Sequence, residues 1–134
     1  MGMKSRPDRP WIWLAAVVIA HLAISFVHGA AHAQAHISMS PAGNLFVFGV
    51  ILAGPVIGLA LALRFRRVGA WVIGITMAAS LVFGVVNHFV VAGADHVAHV
   101  DPRWQPLFAT TAVLLAITEA LGAALAIHVA RERG

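Results

Sequence analysis

Residues 11–33, WIWLAAVVIAHLAISFVHGAAHA, form an apolar run long enough to cross a bilayer, and histidines interrupt it at regular spacing. On a helix with about 100° per residue, His28 and His32 lie within about 20° of the direction of His21. His36 follows one turn later. A row of imidazoles is unfavourable against lipid. We therefore expect this face to point inward, toward other helices, a cofactor or water.

Three further apolar stretches of similar length follow, at 43–63, 70–92 and 105–129. The chain has 134 residues, of which 60% are hydrophobic and 10% are charged, whereas about a quarter are charged in a typical soluble domain. The four stretches leave no room for a separate soluble module. The sequence therefore predicts an all-α fold, a polytopic four-helix transmembrane bundle that occupies 1–134 as a single domain.

The basic residues predict the orientation of this bundle. They cluster before the first span, after the second and after the fourth, and Arg103 lies on the opposite side. The positive-inside rule then gives cytoplasmic N and C termini, in what we expect to be a bacterial inner membrane. The formal net charge of +4 therefore reflects topology and lipid contacts, and we expect no nucleic-acid partner. The clustered residues are Lys4, Arg6, Arg9, Arg64, Arg66, Arg67, Arg131 and Arg133.

A cleaved signal peptide is an alternative interpretation of residues 1–33. The segment has a basic start, an apolar centre and the small-x-small sequence Ala31-His32-Ala33 before Gln34. Its apolar part is longer than the usual 7–15 residues of a signal peptide, and it carries histidines on one face. These features favour a retained transmembrane helix.

Six of the eight histidines are predicted to gather at the outer, periplasmic end of the bundle. Imidazole is the commonest ligand of transition metals, and histidines three or four residues apart on a helix can bind one ion. We predict that this cluster holds zinc, copper, nickel or iron. Asp95, Asp101 and Asn87 lie nearby and can accept hydrogen bonds from the ligand rings. The six predicted ligands are His28, His32, His36, His88, His96 and His99.

A haem b site is the alternative for two of these histidines. His28 and His88 are each predicted to lie roughly 6–7 Å below the outer end of their helices, at ~1.5 Å per residue, and so at equal depth. They can then serve as axial ligands of a haem, with Arg103 near a propionate. The protein would be an electron-transfer subunit in that case.

A third polar feature lies near the predicted midplane. His21 and Glu119 fall on inward faces of the first and fourth spans, which run antiparallel. A lone ionised carboxylate in hydrocarbon is costly, so we expect a buried polar pair or a proton relay.

Small residues predict close helix packing in the second span. Gly54 and Gly58 form a small-xxx-small pair, and Pro55 removes a backbone donor between them. No nucleophile motif, phosphate-binding loop or cysteine is present, so the sequence gives no support for an enzyme. A cofactor-free structural subunit, in a homo-oligomer or a larger membrane complex, is a further possibility.

Overall fold

The structure is a computed structural model that describes residues 9–132. Within that range the chain forms helices and no strands, and four of the helices are long and apolar enough to cross a membrane. The predicted all-helical architecture is therefore confirmed. Three of the basic residues used to predict the orientation, Lys4, Arg6 and Arg133, lie outside the described residues. The four long helices are α1 (Arg9–Gln34), α2 (Pro41–Ala62), α3 (Arg66–Val90) and α4 (Gln105–Arg131).

The helices pack in the order α2, α3, α4, α1 around the bundle. Helix α4 packs along both α1 and α3, and α3 also packs along α2. Helices α1 and α2 are adjacent in the chain but make little contact with each other. Their separation leaves a cavity between them, closed on the inner side by α3 and α4.

The two ends of the bundle differ in chemistry. The loop 63–65, which joins α2 to α3, and the end of α4 form one end, here called the arginine end because Arg64, Arg66 and Arg131 lie there. The loops 35–40 and 91–104 form the other, here called the histidine end. The larger apolar core lies toward the arginine end, where Leu14, Val18, Ile73, Met77 and Ala126 are fully buried.

Helix α1 ends at a residue whose backbone is in the left-handed conformation, which the helical periodicity of the sequence does not predict. His36 has φ 55°, and its N–H bonds to the carbonyl of Ala33. The next N–H, of Ile37, bonds to the carbonyl of His32 at 3.0 Å. This pair of bonds is the Schellman motif, in which glycine usually occupies the left-handed position. The helix therefore ends at Gln34, and the periodicity of its histidines ends with it.

Replacing His36 with glycine tests this assignment of the helix end. Glycine adopts positive φ without the steric cost of roughly 1–2 kcal/mol that other residues meet there, and the greater freedom of the unfolded chain offsets part of the gain. We expect His36→Gly to leave thermal stability unchanged or raise it slightly, measured as the unfolding midpoint in detergent. His36→Val should lower the midpoint, because a β-branched residue disfavours positive φ. The opposite ranking would contradict the left-handed helix end.

Proline shapes α2 and leaves one carbonyl free of its usual partner. In an α-helix the carbonyl of Ile51 would accept from the N–H of residue 55, but Pro55 has none. Residues Val47–Ala53, just before it, form a π-helical segment. The ring Nε2 of His21 on α1 lies 3.1 Å from the Ile51 carbonyl and so supplies the missing donor.

Helices α2 and α3 come into close contact at the glycines that the sequence singled out. A Cβ at Gly54 would lie 2.5 Å from Thr76 Cγ2. A Cβ at Gly58 would lie 2.5 Å from Ile73 Cγ1 and 3.0 Å from the carbonyl oxygen of Gly69. Gly69, on α3, was not singled out, and it is equally tightly packed against α2. The small residues allow the two backbones to approach.

Alanine at Gly58 is therefore expected to destabilise the bundle by about 1–3 kcal/mol, the usual cost of overpacking. Gly49 is the matched control, because it lies on the same helix and a Cβ there would have nothing within 4 Å. Gly49→Ala should leave stability unchanged or raise it, since alanine favours helix. The measurement is the unfolding midpoint of each variant in detergent. Equal losses in both would show that the α2–α3 contact is not the cause.

Candidate metal centre

Three imidazoles converge at the histidine end of the bundle. His28 and His32 come from α1, and His88 comes from the last turn of α3. One ring nitrogen from each lies within 4.8 Å of the other two. His28 and His88 are each 6% exposed, and His32 is half-buried. We call this group the histidine triad.

Hydrogen bonds fix which nitrogen of His28 carries the proton. The hydroxyl of Thr111 on α4 donates to the Leu107 carbonyl at 2.7 Å. Since its proton is used there, the hydroxyl accepts from Nδ1 of His28, 2.8 Å away. Neutral His28 is therefore protonated on Nδ1, and its Nε2 has a free lone pair.

The same reasoning applies to His88. Its Nδ1 lies 3.0 Å from the backbone carbonyl of Asp95, which can only accept, so Nδ1 carries the proton. Its Nε2 then has a free lone pair too, and it lies 3.2 Å from Nε2 of His28. Two neutral rings thus direct lone pairs at each other in a buried place. Only a cation between them, a proton or a metal ion, makes this contact favourable.

His32 completes the group from the next turn of α1. Its Nε2 lies 3.1 Å from Oδ1 of Asp95, and its Nδ1 is buried without a hydrogen-bond partner. Oδ1 of Asp95 is also 3.4 Å from Nδ1 of His88. One carboxylate therefore lies beside two of the three rings. Carboxylates in this position orient metal-bound histidines and make them better ligands.

A phenyl ring closes one side of the triad. Phe108 on α4 is fully buried, and its ring centroid is 4.7 Å from that of His28, 4.9 Å from His32 and 5.2 Å from His88. The apolar ring excludes water from that side and holds the three imidazoles in place. Access is from the cavity between α1 and α2, which the three histidines also line.

The spacing of the two Nε2 atoms suits one small ion and not a haem. Tetrahedral zinc with metal–nitrogen bonds of about 2.0–2.1 Å places two ligand nitrogens roughly 3.3 Å apart, close to the 3.2 Å found here. Axial ligands on opposite faces of a haem iron would be about 4 Å apart at the same bond length, with the macrocycle between them. His28 and His88 instead contact each other directly, with ring centroids 4.9 Å apart. The predicted haem b site does not fit this arrangement.

The other three predicted ligands lie elsewhere at the histidine end. His36 is exposed beyond the end of α1. His96 and His99 belong to a short turn in the loop after α3, with ring centroids 5.2 Å apart. His96 Nδ1 accepts from the N–H of Ala98, and His99 Nδ1 is 2.8 Å from the Gly93 carbonyl. The structure does not bring these three rings into the triad.

Of the three predicted supporting residues, only Asp95 lies beside the triad. Asp101 instead pairs with Arg103, whose Nη2 donates to Oδ2 at 2.9 Å and whose backbone N–H donates to Oδ1. These hydrogen bonds from Arg103 hold the pKa of Asp101 down, at about 2. Asn87 donates to the Phe83 carbonyl at 2.8 Å within its own helix. Arg103 is thus engaged by Asp101 within the loop.

His21 and Glu119 are brought together, as their positions in the sequence suggested. His21 is fully buried and Glu119 is 3% exposed. Nδ1 of His21 lies 3.8 Å from Oε1 of Glu119, too far for a hydrogen bond. The pair lies deeper in the bundle than the triad, because His21 is about two helical turns before His28 on α1.

Two residues that shape the triad, Thr111 and Phe108, were not predicted from the sequence. Both lie on α4, and neither residue type is unusual in a transmembrane helix. A second feature without a sequence signal is the π-helical segment Val86–Val90 at the end of α3, which carries His88. Single π turns inside helices are rare and often occur at functional sites.

Comparison with protein-family models, with curated proteins and with solved structures found no significant match to this chain. The geometry of the triad is therefore the basis for assigning a function.

Proposed function

We propose that this protein is an integral membrane protein that binds one transition metal ion through His28, His32 and His88. The observation that carries the proposal is the 3.2 Å contact between the Nε2 atoms of His28 and His88, both left with free lone pairs by their other hydrogen bonds. A third imidazole with an unpartnered nitrogen lies beside them.

The chemistry of the donor set favours a borderline divalent ion. Three neutral imidazoles suit zinc, copper, nickel or iron, whereas calcium and magnesium prefer oxygen ligands. Three protein ligands leave the fourth position of a tetrahedral ion for water or an exchangeable ligand, a pattern typical of reactive rather than purely structural sites. That position would face the cavity, because Phe108 covers the other side.

The environment supports a role in metal uptake, transfer or sensing at a membrane. The four long helices are apolar enough to lie in a bilayer, and the triad is at the histidine end, opposite the arginine end. With the arginine end in the cytoplasm, the triad would open toward the periplasm of a bacterial inner membrane. Phe26 and Phe48, which line the cavity, are largely exposed and would contact lipid or another subunit, in a homo-oligomer or larger complex.

Metal analysis of the purified protein tests the proposal. We expect the full-length chain, prepared in detergent without a histidine tag, to contain or take up about one equivalent of zinc, copper, nickel or iron at the triad. Cobalt(II) is the spectroscopic probe, because a tetrahedral cobalt site with imidazole ligands absorbs visible light. A chain that stays free of metal after incubation with these ions would overturn the proposal. It would leave a cofactor-free structural subunit, with a proton shared between His28 and His88, as the better account.

A further inference from the structure

The cavity between α1 and α2 extends from the triad toward the middle of the bundle. It has a volume of about 630 Å³ and mostly apolar walls. Its polar side chains fall mainly into two groups, the histidines with Asp95 at the histidine end and a deeper set around Glu119. The deeper set also includes Ser25 and Ser80. The cavity thus connects the proposed metal site to a second polar place inside the bundle.

A buried nitrogen without a hydrogen-bond partner lies beside Glu119. Nε2 of His21 donates to the free carbonyl of Ile51 at 3.1 Å, so in the neutral ring Nδ1 has the lone pair. Nδ1 is buried without a hydrogen-bond partner and faces Oε1 of Glu119 at 3.8 Å. The lone pair of Nδ1 thus faces a carboxyl oxygen that is too far away for a hydrogen bond.

Gly84 lies on the cavity wall beside both places. A Cβ at Gly84 would lie 3.9 Å from Oε2 of Glu119 and 3.9 Å from Cδ2 of His88. Those two atoms are therefore within twice that distance of each other, and the residue beside both of them has no side chain. His88 and Glu119 therefore border the same part of the cavity.

We infer that Glu119 and His21 form a second, inner position for the metal ion, reached from the triad through this cavity. The inference rests on the proposed function, since the triad is the place from which the ion arrives. Imidazole and carboxylate together are common ligands of zinc and of similar divalent ions. The inner position offers two protein ligands instead of three, so it should bind more weakly than the triad, as a place of transfer requires.

The test is the stoichiometry of cobalt(II) binding, measured by equilibrium dialysis of the full-length protein in detergent. We expect the unsubstituted protein to bind two ions, one tightly with the visible absorption of the triad and one weakly. Glu119→Gln, which keeps the shape of the side chain, should bind one ion and retain that absorption. Glu132→Gln is the matched control, because it removes an exposed carboxylate at the arginine end, and it should still bind two.

Three results would overturn the inner position. The unsubstituted protein could bind a single ion that His88→Ala removes, which leaves the proposed function intact. Glu119→Gln could still bind two ions, so that its carboxylate is not a ligand. Glu119→Gln could lose both ions, so that Glu119 supports the triad and holds no ion itself. A protein that binds no cobalt at all would overturn the proposed metal-binding function itself, which distinguishes this outcome from the other three.

Discussion

Replacing His88 with alanine is expected to lower the affinity for zinc or cobalt(II) by more than ~100-fold, which exceeds the usual effect of losing a residue that only supports a ligand. His88 Nε2 carries one of the two lone pairs that meet at 3.2 Å, so its removal breaks this contact and leaves only His28 and His32 to bind the ion. His28→Ala should have the same effect for the same reason. The measurement is competition with a metal-binding dye, with helical content by circular dichroism as the check on folding.

His99→Ala is the matched control for this prediction. It removes an imidazole at the same end of the bundle, but one that is exposed and lies against the Gly93 carbonyl in the loop. We expect its affinity to equal that of the unsubstituted protein. If His99→Ala weakened binding as much as His88→Ala, the ligand set would be the wider histidine cluster that the sequence predicted, and the triad would be wrong.

His32→Ala separates the triad from a site of two histidines. A two-ligand site at His28 and His88 would lose little when His32 is removed. The triad predicts a large loss, because one ring nitrogen of His32 lies within 4.8 Å of a nitrogen of each of the other two rings. The zinc affinities of His28→Ala, His32→Ala and His88→Ala, measured under the same conditions, therefore show whether two or three histidines bind the ion.

The helices were predictable because their lengths and composition are fixed by simple constraints. An apolar run of about 20 residues has few alternatives to a membrane-length helix. Equal depth of His28 and His88 was predictable as well, since each position is a count of residues from a helix end at a fixed rise. Their rings meet directly in the structure.

Which residues form the site was less predictable, because this depends on how the helices end and how the loops fold. A helical pattern extended through His36 places its side chain within about 40° of that of His32. The backbone at His36 is instead left-handed, and the helix ends before this residue. Asp95 and Asp101 have similar positions in the sequence, because they lie on either side of His96 and His99 in the same loop. Nδ1 of His88 donates to the backbone carbonyl of Asp95, which places Asp95 at the triad, whereas Arg103 donates to the carboxylate of Asp101.

The contribution of α4 could not be predicted from its own sequence. Thr111 and Phe108 reach the triad only because α4 packs along both α1 and α3 with a particular rotation. A threonine that bonds to a carbonyl one turn earlier is ordinary in a helix, and Thr118 does the same farther along. What distinguishes Thr111 is the imidazole that lies beside it, and only the assembled bundle shows that.

Replacing Thr111 with valine is therefore expected to weaken metal binding about 10–100-fold without unfolding the protein. Valine keeps the shape but removes the oxygen that accepts from Nδ1 of His28 at 2.8 Å. The ring then loses the hydrogen bond that fixes its orientation, and the buried N–H is left unpaired, which disfavours the form that binds metal. Thr111→Ser, which keeps the hydroxyl, should restore most of the affinity.

Thr118→Val provides the control for the loss of a hydroxyl on the same helix. Thr118 bonds to the carbonyls of Leu114 and Leu115, both at 3.0 Å, as Thr111 bonds to those of Leu107 and Phe108. Both substitutions therefore remove equivalent hydrogen bonds within α4, and only Thr111→Val also removes the contact with His28. We expect zinc affinity to fall in Thr111→Val alone. Equal affinities in the two variants would show that Thr111 does not orient a ligand, and the proton on Nδ1 of His28, from which the converging lone pairs were deduced, would need another explanation.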